Sequence, residues 1–110
     1  MTTIVIKKNE NSTYRELICM GHAEYAQDDE PDILCSSISF LVINTLNSLE
    51  ELARETLSVT TNEETGFIRC IFESDLQEKS VFLLDSMVFG LEQLQQEYGE
   101  QYLQVRIEEV

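Results

Sequence analysis

Two side chains in the first third of the chain have the types and spacing that thiol chemistry requires. His22 is the only histidine, and Cys35 follows it by 13 positions, where a polar loop gives way to an apolar helical pattern. An imidazole can take and return a proton near neutral pH, and a thiolate is a strong nucleophile. Brought together, Cys35 would attack a carbonyl carbon while His22 first accepts the thiol proton and later protonates the leaving amine.

The sequence places Cys35 at the start of a helix. Asp32 is the predicted N-cap, and the unpaired backbone N–H groups and dipole of a first helical turn favour the thiolate. We expect the N–H groups of Cys35 and Ser36 to bind an oxyanion. Asp32 has two candidate roles, as a helix cap alone or as a cap that also orients His22. Ser39, one turn later, could hydrogen-bond to His22, to a loop carbonyl or to its own helix.

The residue types alone favour a plainer interpretation of both side chains. A cysteine at the base of an apolar helix is more often a small buried hydrophobe than a nucleophile. A single histidine at a strand end is more often a surface residue than a base. Cys19 and Cys70, each in mid-strand among apolar neighbours, are predicted to lie in the core.

The hydrophobic pattern predicts an α+β two-layer sandwich, with two helices packed on one face of a mixed β-sheet. The predicted order is ββαββαβ, since alternating and helical spacings follow one another along the chain. Gly66 ends a hairpin loop that favours a positive φ, and Asp75 opens a capping box, the reciprocal N-cap signature. The strands are predicted at 2–7, 14–21, 57–61, 67–72 and 102–108, and the helices at 33–54 and from the capping box to Tyr98.

Composition narrows the class of protein. The 110 residues predict a single domain, 1–110, and the formal net charge of −14 disfavours direct binding to nucleic acid while favouring a basic polypeptide. The three cysteines and one histidine match no zinc pattern, so neither metal nor cofactor is expected. No apolar run approaches the roughly 18 residues of a membrane span, and no signal peptide is recognised. We therefore expect a cytoplasmic protein without membrane attachment.

The paired motifs Gly21-His22-Ala23-x-Tyr25-Ala26 and Asp32-Ile33-Leu34-Cys35-Ser36-Ser37-Ile38-Ser39 resemble those of the ribosomal-processing cysteine protease (Prp) family. The resemblance implies a cysteine endopeptidase that removes the short N-terminal extension of a large-subunit ribosomal protein, cutting after an aromatic pair. It assigns catalysis to His22 and Cys35 and a supporting role to Gly21, Asp32 and Ser39, and it implies a homodimer. Glu30-Pro31 departs from the glycine usual before the aspartate in the family.

Two other functions compete with this one. The first is a non-enzymatic module that binds a basic ribosomal-protein segment while Cys35 stays inert. The second is a redox-sensing thiol protein, because an exposed, reactive cysteine also oxidises readily. A partly apolar outer sheet face, with Phe67 and Ile71 beside Arg69, adds a hint that a second subunit covers it.

Overall fold

The chain folds into a five-stranded sheet with two helices on one face, which confirms the predicted α+β class and element order. The computed structural model describes residues 1–26 and 32–110, so the acidic loop with its Glu30-Pro31 departure lies outside the described residues. The elements are β1 (Thr2–Lys8), β2 (Tyr14–Met20), α1 (Ile33–Glu51), β3 (Leu57–Asn62), β4 (Phe67–Phe72), α2 (Glu78–Tyr98) and β5 (Leu103–Glu109).

The sheet is mixed, as predicted, and its strand order is β3-β4-β2-β1-β5. The β1 and β5 strands run parallel, and the other neighbouring pairs run antiparallel. Because β2 and β4 are antiparallel neighbours, the end of β2 lies beside the beginning of β4. The residues that follow β2, with His22 among them, therefore meet the turn that joins β3 to β4.

The core lies between the sheet and the two helices. Alternate residues of the strands point toward the helices, so each strand contributes one apolar row. Each helix contributes the single buried stripe of an amphipathic helix. The buried side chains include Ile4, Ile6, Leu17 and Cys70 from the strands, Leu34, Val42 and Leu49 from α1, and Leu84, Met87 and Leu91 from α2.

Helix α1 corrects one expectation about membranes. By length and composition alone it is apolar enough to cross a bilayer, which the reading of uninterrupted apolar runs overlooked. Its stripe of Leu34, Ile38 and Val42 is buried in the core, however, as in the inner helix of a two-layer fold. The helix also ends at Glu51, earlier than the predicted residue 54, and Arg54 turns the chain with a positive φ of 59°.

The predicted capping box at Asp75 is wrong. Helix α2 begins at Glu78 with Gln77 as its N-cap residue, and the Asp75 carboxylate instead accepts a hydrogen bond of 3.0 Å from Arg15. Glu55, from the segment before β3, takes over the end of the helix. It accepts from the Gln77 N–H at 2.9 Å and from the Ser80 hydroxyl. A tertiary carboxylate has replaced the local cap that the sequence pattern indicated.

Candidate active site

Gly21 directs the chain out of the sheet immediately before His22. It follows the last residue of β2 and adopts a φ of +83°, a conformation that L side chains rarely adopt. A Cβ at this position would lie 2.5 Å from the carbonyl oxygen of Met1. The Thr2 hydroxyl donates to the Gly21 carbonyl at 3.3 Å. Only glycine fits this turn, and the turn carries His22 toward solvent.

Asp32 holds together the two chain segments that carry the candidate dyad. One carboxylate oxygen accepts from the Cys35 N–H at 2.9 Å, which confirms the predicted N-cap, and the other accepts from the Tyr25 N–H at 2.9 Å. Partial burial opposes ionisation, but the backbone N–H donors outweigh it and lower the pKa of Asp32. The Tyr25 ring packs edge-on against Tyr98 and Tyr102, with centroids 5.0 and 5.1 Å away. Of the two roles predicted for Asp32, these contacts describe the cap.

His22 and Cys35 lie together, as the sequence predicted. The Cys35 Sγ is 3.8 Å from the His22 Nδ1, within the range of a hydrogen bond to sulfur. The other ring nitrogen, Nε2, lies 3.0 Å from the backbone carbonyl oxygen of Glu64 in the turn between β3 and β4. Cys35 is half-buried and His22 is exposed. The ring therefore sits between a thiol and a carbonyl oxygen, an arrangement that suits proton transfer from the thiol.

A cavity of about 320 Å³ opens beside the two side chains, between α1 and the β3–β4 hairpin. Gly21, His22, Cys35 and Ser39 line it, so it gathers every predicted site residue except the helix cap. Ser39 is exposed on the α1 wall, one turn after Cys35. Much of the remaining wall is apolar and includes Ile38, Ile43, Phe67 and Ile68.

The prediction that the N–H groups of Cys35 and Ser36 bind an oxyanion is wrong for this conformation. The Cys35 N–H is bonded to the Asp32 carboxylate, and the Ser36 N–H donates to the Asp32 carbonyl at 3.0 Å. The sequence assigned the same donors both to the helix cap and to the oxyanion. In the folded chain the cap occupies them.

Cys19 and Cys70 lie in the core, as predicted. Burial, with a smaller contribution from nearby Cys35, raises the pKa of Cys19 to about 11. Burial, with a contribution from Glu50, raises the pKa of Cys70 to about 12. Cys19 also reaches the floor of the cavity. Both thiols stay protonated near neutral pH, which sets them apart from the half-buried Cys35.

The part of the chain that the structure describes contains no group of three or more His, Cys, Asp or Glu side chains placed to hold a metal ion. The sequence analysis missed Glu64 and the contact that Gly66 makes with His22. Gly66 does have the expected positive φ, at 66°, but only the pairing of β2 with β4 brings its turn to a residue 42 positions from Glu64. That pairing carries no local sequence signal.

Comparisons with known proteins agree on fold and family. A family model described as cysteine protease Prp matches residues 1–103. No curated protein sequence matches the chain. The structure of the S. aureus ribosomal processing protease Prp with a covalently linked product peptide matches with a TM-score of 0.89 at 19% identity, covering 98% of this chain and 100% of that one. The same protease with a substrate peptide gives 0.82 at 20% identity, covering 100% of both chains.

A Streptococcus mutans protein of known structure matches with a TM-score of 0.85 at 22% identity, covering 100% of this chain and 96% of its own. At these identities the structural matches show a shared fold. The family model adds the sequence evidence, because its match includes both His22 and Cys35. The chain is a cysteine protease and belongs to the cysteine protease Prp family.

Proposed function

We propose that this protease removes the short N-terminal extension of a large-subunit ribosomal protein, with Cys35 as nucleophile and His22 as general base and acid. The observation that carries the proposal is the 3.8 Å approach of the Cys35 Sγ to the His22 Nδ1 at the edge of a cavity. The similar S. aureus protein is described as a ribosomal processing protease, and its structures contain substrate and product peptides. These descriptions support the choice of substrate.

The reaction follows from the positions of the two side chains. The His22 Nδ1 takes the thiol proton as the Cys35 Sγ attacks the scissile carbonyl carbon, and the protonated ring then gives that proton to the departing amine. The thioester left on Cys35 is hydrolysed by water, with His22 accepting a proton from the water. The thiol then leaves with that proton, and the enzyme is restored.

The cavity wall supports cleavage after an aromatic pair. Ile38, Ile43, Phe67 and Ile68 present apolar surface beside the dyad, and aromatic side chains gain the most from burial against such a surface. A volume of about 320 Å³ accommodates bulky side chains of a peptide, with the scissile bond at Cys35. We propose that the residues before the cleavage site occupy this wall.

Charge supports a basic protein as the substrate. The net charge of −14 attracts a positively charged polypeptide and repels phosphate backbones, so the proposal includes no direct contact with nucleic acid. Glu63 contributes to the cavity rim itself. All three cysteines are free thiols, as is usual in a reducing compartment, and we propose that the protein works in the cytoplasm.

The proposal also includes a homodimer. Phe82 and Phe89 lie on one side of α2, seven residues apart, with 74% and 63% of their surfaces exposed. Exposed aromatic side chains of this size are typical of subunit interfaces. Light scattering on the purified protein should give twice the chain mass. The double variant Phe82→Asp with Phe89→Asp should give the mass of one chain, and an unchanged mass would place the interface elsewhere.

A peptide cleavage assay tests the proposed function. The protein is incubated with a peptide that spans an N-terminal extension ending in an aromatic pair, and the products are identified by mass spectrometry. We expect one cut after the pair, which disappears in Cys35→Ala and in His22→Ala. Cys70→Ala is the matched control, because it removes a buried thiol away from the cavity and should cleave normally.

A second control uses the same peptide with both aromatic residues replaced by alanine, which should not be cut. Cleavage that survives either Cys35→Ala or His22→Ala would overturn the dyad. Cleavage of the alanine peptide at the same rate would overturn the specificity while leaving the dyad intact.

A further inference from the structure

We propose that the backbone carbonyl of Glu64 is the group that orients His22, and that Gly66 is the positioning residue that allows this contact. In papain-like proteases a side chain holds the histidine of the catalytic pair. Here the ring nitrogen remote from Cys35 meets a peptide oxygen of the β3–β4 turn. The catalytic consequence rests on the proposed function, whereas the orientation itself does not.

The contact determines which nitrogen carries the proton. A carbonyl oxygen can only accept a hydrogen bond, so the His22 Nε2, 3.0 Å from the Glu64 oxygen, must be the protonated nitrogen. The Nδ1 is then left with its lone pair toward the Cys35 Sγ at 3.8 Å. After the thiol proton moves to Nδ1, the Glu64 carbonyl still accepts from Nε2 and stabilises the imidazolium. One backbone oxygen thus serves both states of the ring.

Gly66 makes the approach possible. Its φ is +66°, and a Cβ added there would lie 2.6 Å from the Gly21 oxygen and 3.1 Å from the His22 Cε1. Cys19 pairs with Ile68 in the β2–β4 ladder, so Gly21 and Gly66 come opposite each other two residues further along. A side chain at Gly66 would push the turn away from the ring. Two facing glycines therefore set the distance between the ring and the carbonyl.

The turn holds the Glu64 peptide in place by its own hydrogen bonds. The Glu64 N–H donates to the Asn62 side-chain oxygen at 3.1 Å, and the Gly66 N–H donates to the Glu63 carbonyl at 3.3 Å. The side chains of Glu63 and Glu64 are exposed. The orienting atom thus belongs to the backbone of a structured turn, and its position depends on the turn conformation rather than on a side-chain rotamer.

Nitrogen-15 NMR of the ring tests the orientation without any assay of activity. His22 is the only histidine, so a histidine-labelled sample gives the signals of a single imidazole. The Cys35→Ala variant keeps the ring neutral at mildly alkaline pH. We expect essentially one tautomer, protonated on Nε2, instead of the mixture that a free imidazole shows. Adding Gly66→Ala should restore the mixture.

A predominant Nδ1-protonated form would overturn the proposal. Ring signals that Gly66→Ala leaves unchanged would overturn it as well. Both outcomes can be read even if the protein cleaves no ribosomal peptide, so a failure of the proposed substrate is distinguishable from a failure of the orienting contact.

Kinetics on the cleaved peptide supply the second test. Gly66→Ala should lower kcat by about 100-fold, because a small misplacement of a catalytic group costs that much, and should change KM by less than about twofold. Thr65→Ala, in the same turn and exposed, is the matched control and should retain kcat. Thermal unfolding followed by circular dichroism checks that both variants are folded. A folded Gly66→Ala variant with normal kcat would refute the positioning role.

Discussion

The two helices of this protein begin in the same way and serve different purposes. Cys35 is the third residue after the N-cap of α1, and Ser80 is the third residue after the N-cap of α2. Each first turn is bonded to a carboxylate, from Asp32 in α1 and from Glu55 in α2. Cys35 nevertheless faces a cavity and a histidine, whereas Ser80 is fully buried. A helix start therefore does not make a site on its own.

The source of the carboxylate explains the difference. Asp32 lies in the same chain segment and bonds the backbone N–H of Cys35, which leaves the thiol free to face the cavity. Glu55 comes from another segment, 22 residues before Gln77, and also accepts the Ser80 hydroxyl proton. That hydroxyl bond is the largest cause of the lowered pKa of Glu55. One cap exposes the third side chain and the other uses it.

Exchanging both third residues for alanine should separate chemistry from stability. Cys35→Ala should lower kcat/KM by roughly 10⁴-fold or more, since loss of a nucleophile removes the reaction path. Its free energy of unfolding should change little, because the side chain is small and half-buried. Peptide cleavage and urea unfolding measure the two effects.

Ser80→Ala should do the reverse, with normal cleavage and a loss of about 1 kcal/mol in the free energy of unfolding. A Ser80→Ala variant that folds normally but fails to cleave would break the comparison.

Glu55→Ala tests whether the cap of α2 is a scaffold element. It leaves the buried Ser80 hydroxyl and the Gln77 N–H without their acceptor, so the free energy of unfolding should fall by about 2 kcal/mol. In a Ser80→Ala background the same change should cost less, because the buried hydroxyl is already gone. A double-mutant cycle in urea measures this coupling. Equal costs in both backgrounds would show that Ser80 and Glu55 act independently.

Asp32→Ala should give the smallest change in stability, about 1 kcal/mol for loss of an N-cap. The pKa of Asp32 is lower in the folded chain than its ordinary 3.8, so its ionised form stabilises the fold above that pH. The stabilisation is lost as the pH falls through the folded pKa. Unfolding should therefore separate wild type from Asp32→Ala at neutral pH and bring them together in strong acid. Asp32→Asn, which keeps an accepting oxygen, should lose less than Asp32→Ala.

The parts predictable from the sequence were those with local signals. Asp32 and Cys35 are three residues apart, so one helical pattern indicated both the cap and the exposed thiol. Glu55 could not be predicted, because its partners Gln77 and Ser80 lie in a different segment and the local pattern favoured Asp75. The carbonyl of Glu64 lies further still from sequence signals, since a backbone oxygen has no residue type and depends on how β2 and β4 pair.

The alkylation rate of Cys35 tests the central claim, that His22 activates this thiol, most directly. Iodoacetamide at neutral pH, followed by mass spectrometry, reports the modification of Cys19, Cys35 and Cys70 separately. We predict that Cys35 reacts at least about tenfold faster than the two buried thiols, and that His22→Ala slows Cys35 by a similar factor. A Cys35 rate unchanged in His22→Ala, or three thiols that react only after denaturation, would contradict the account.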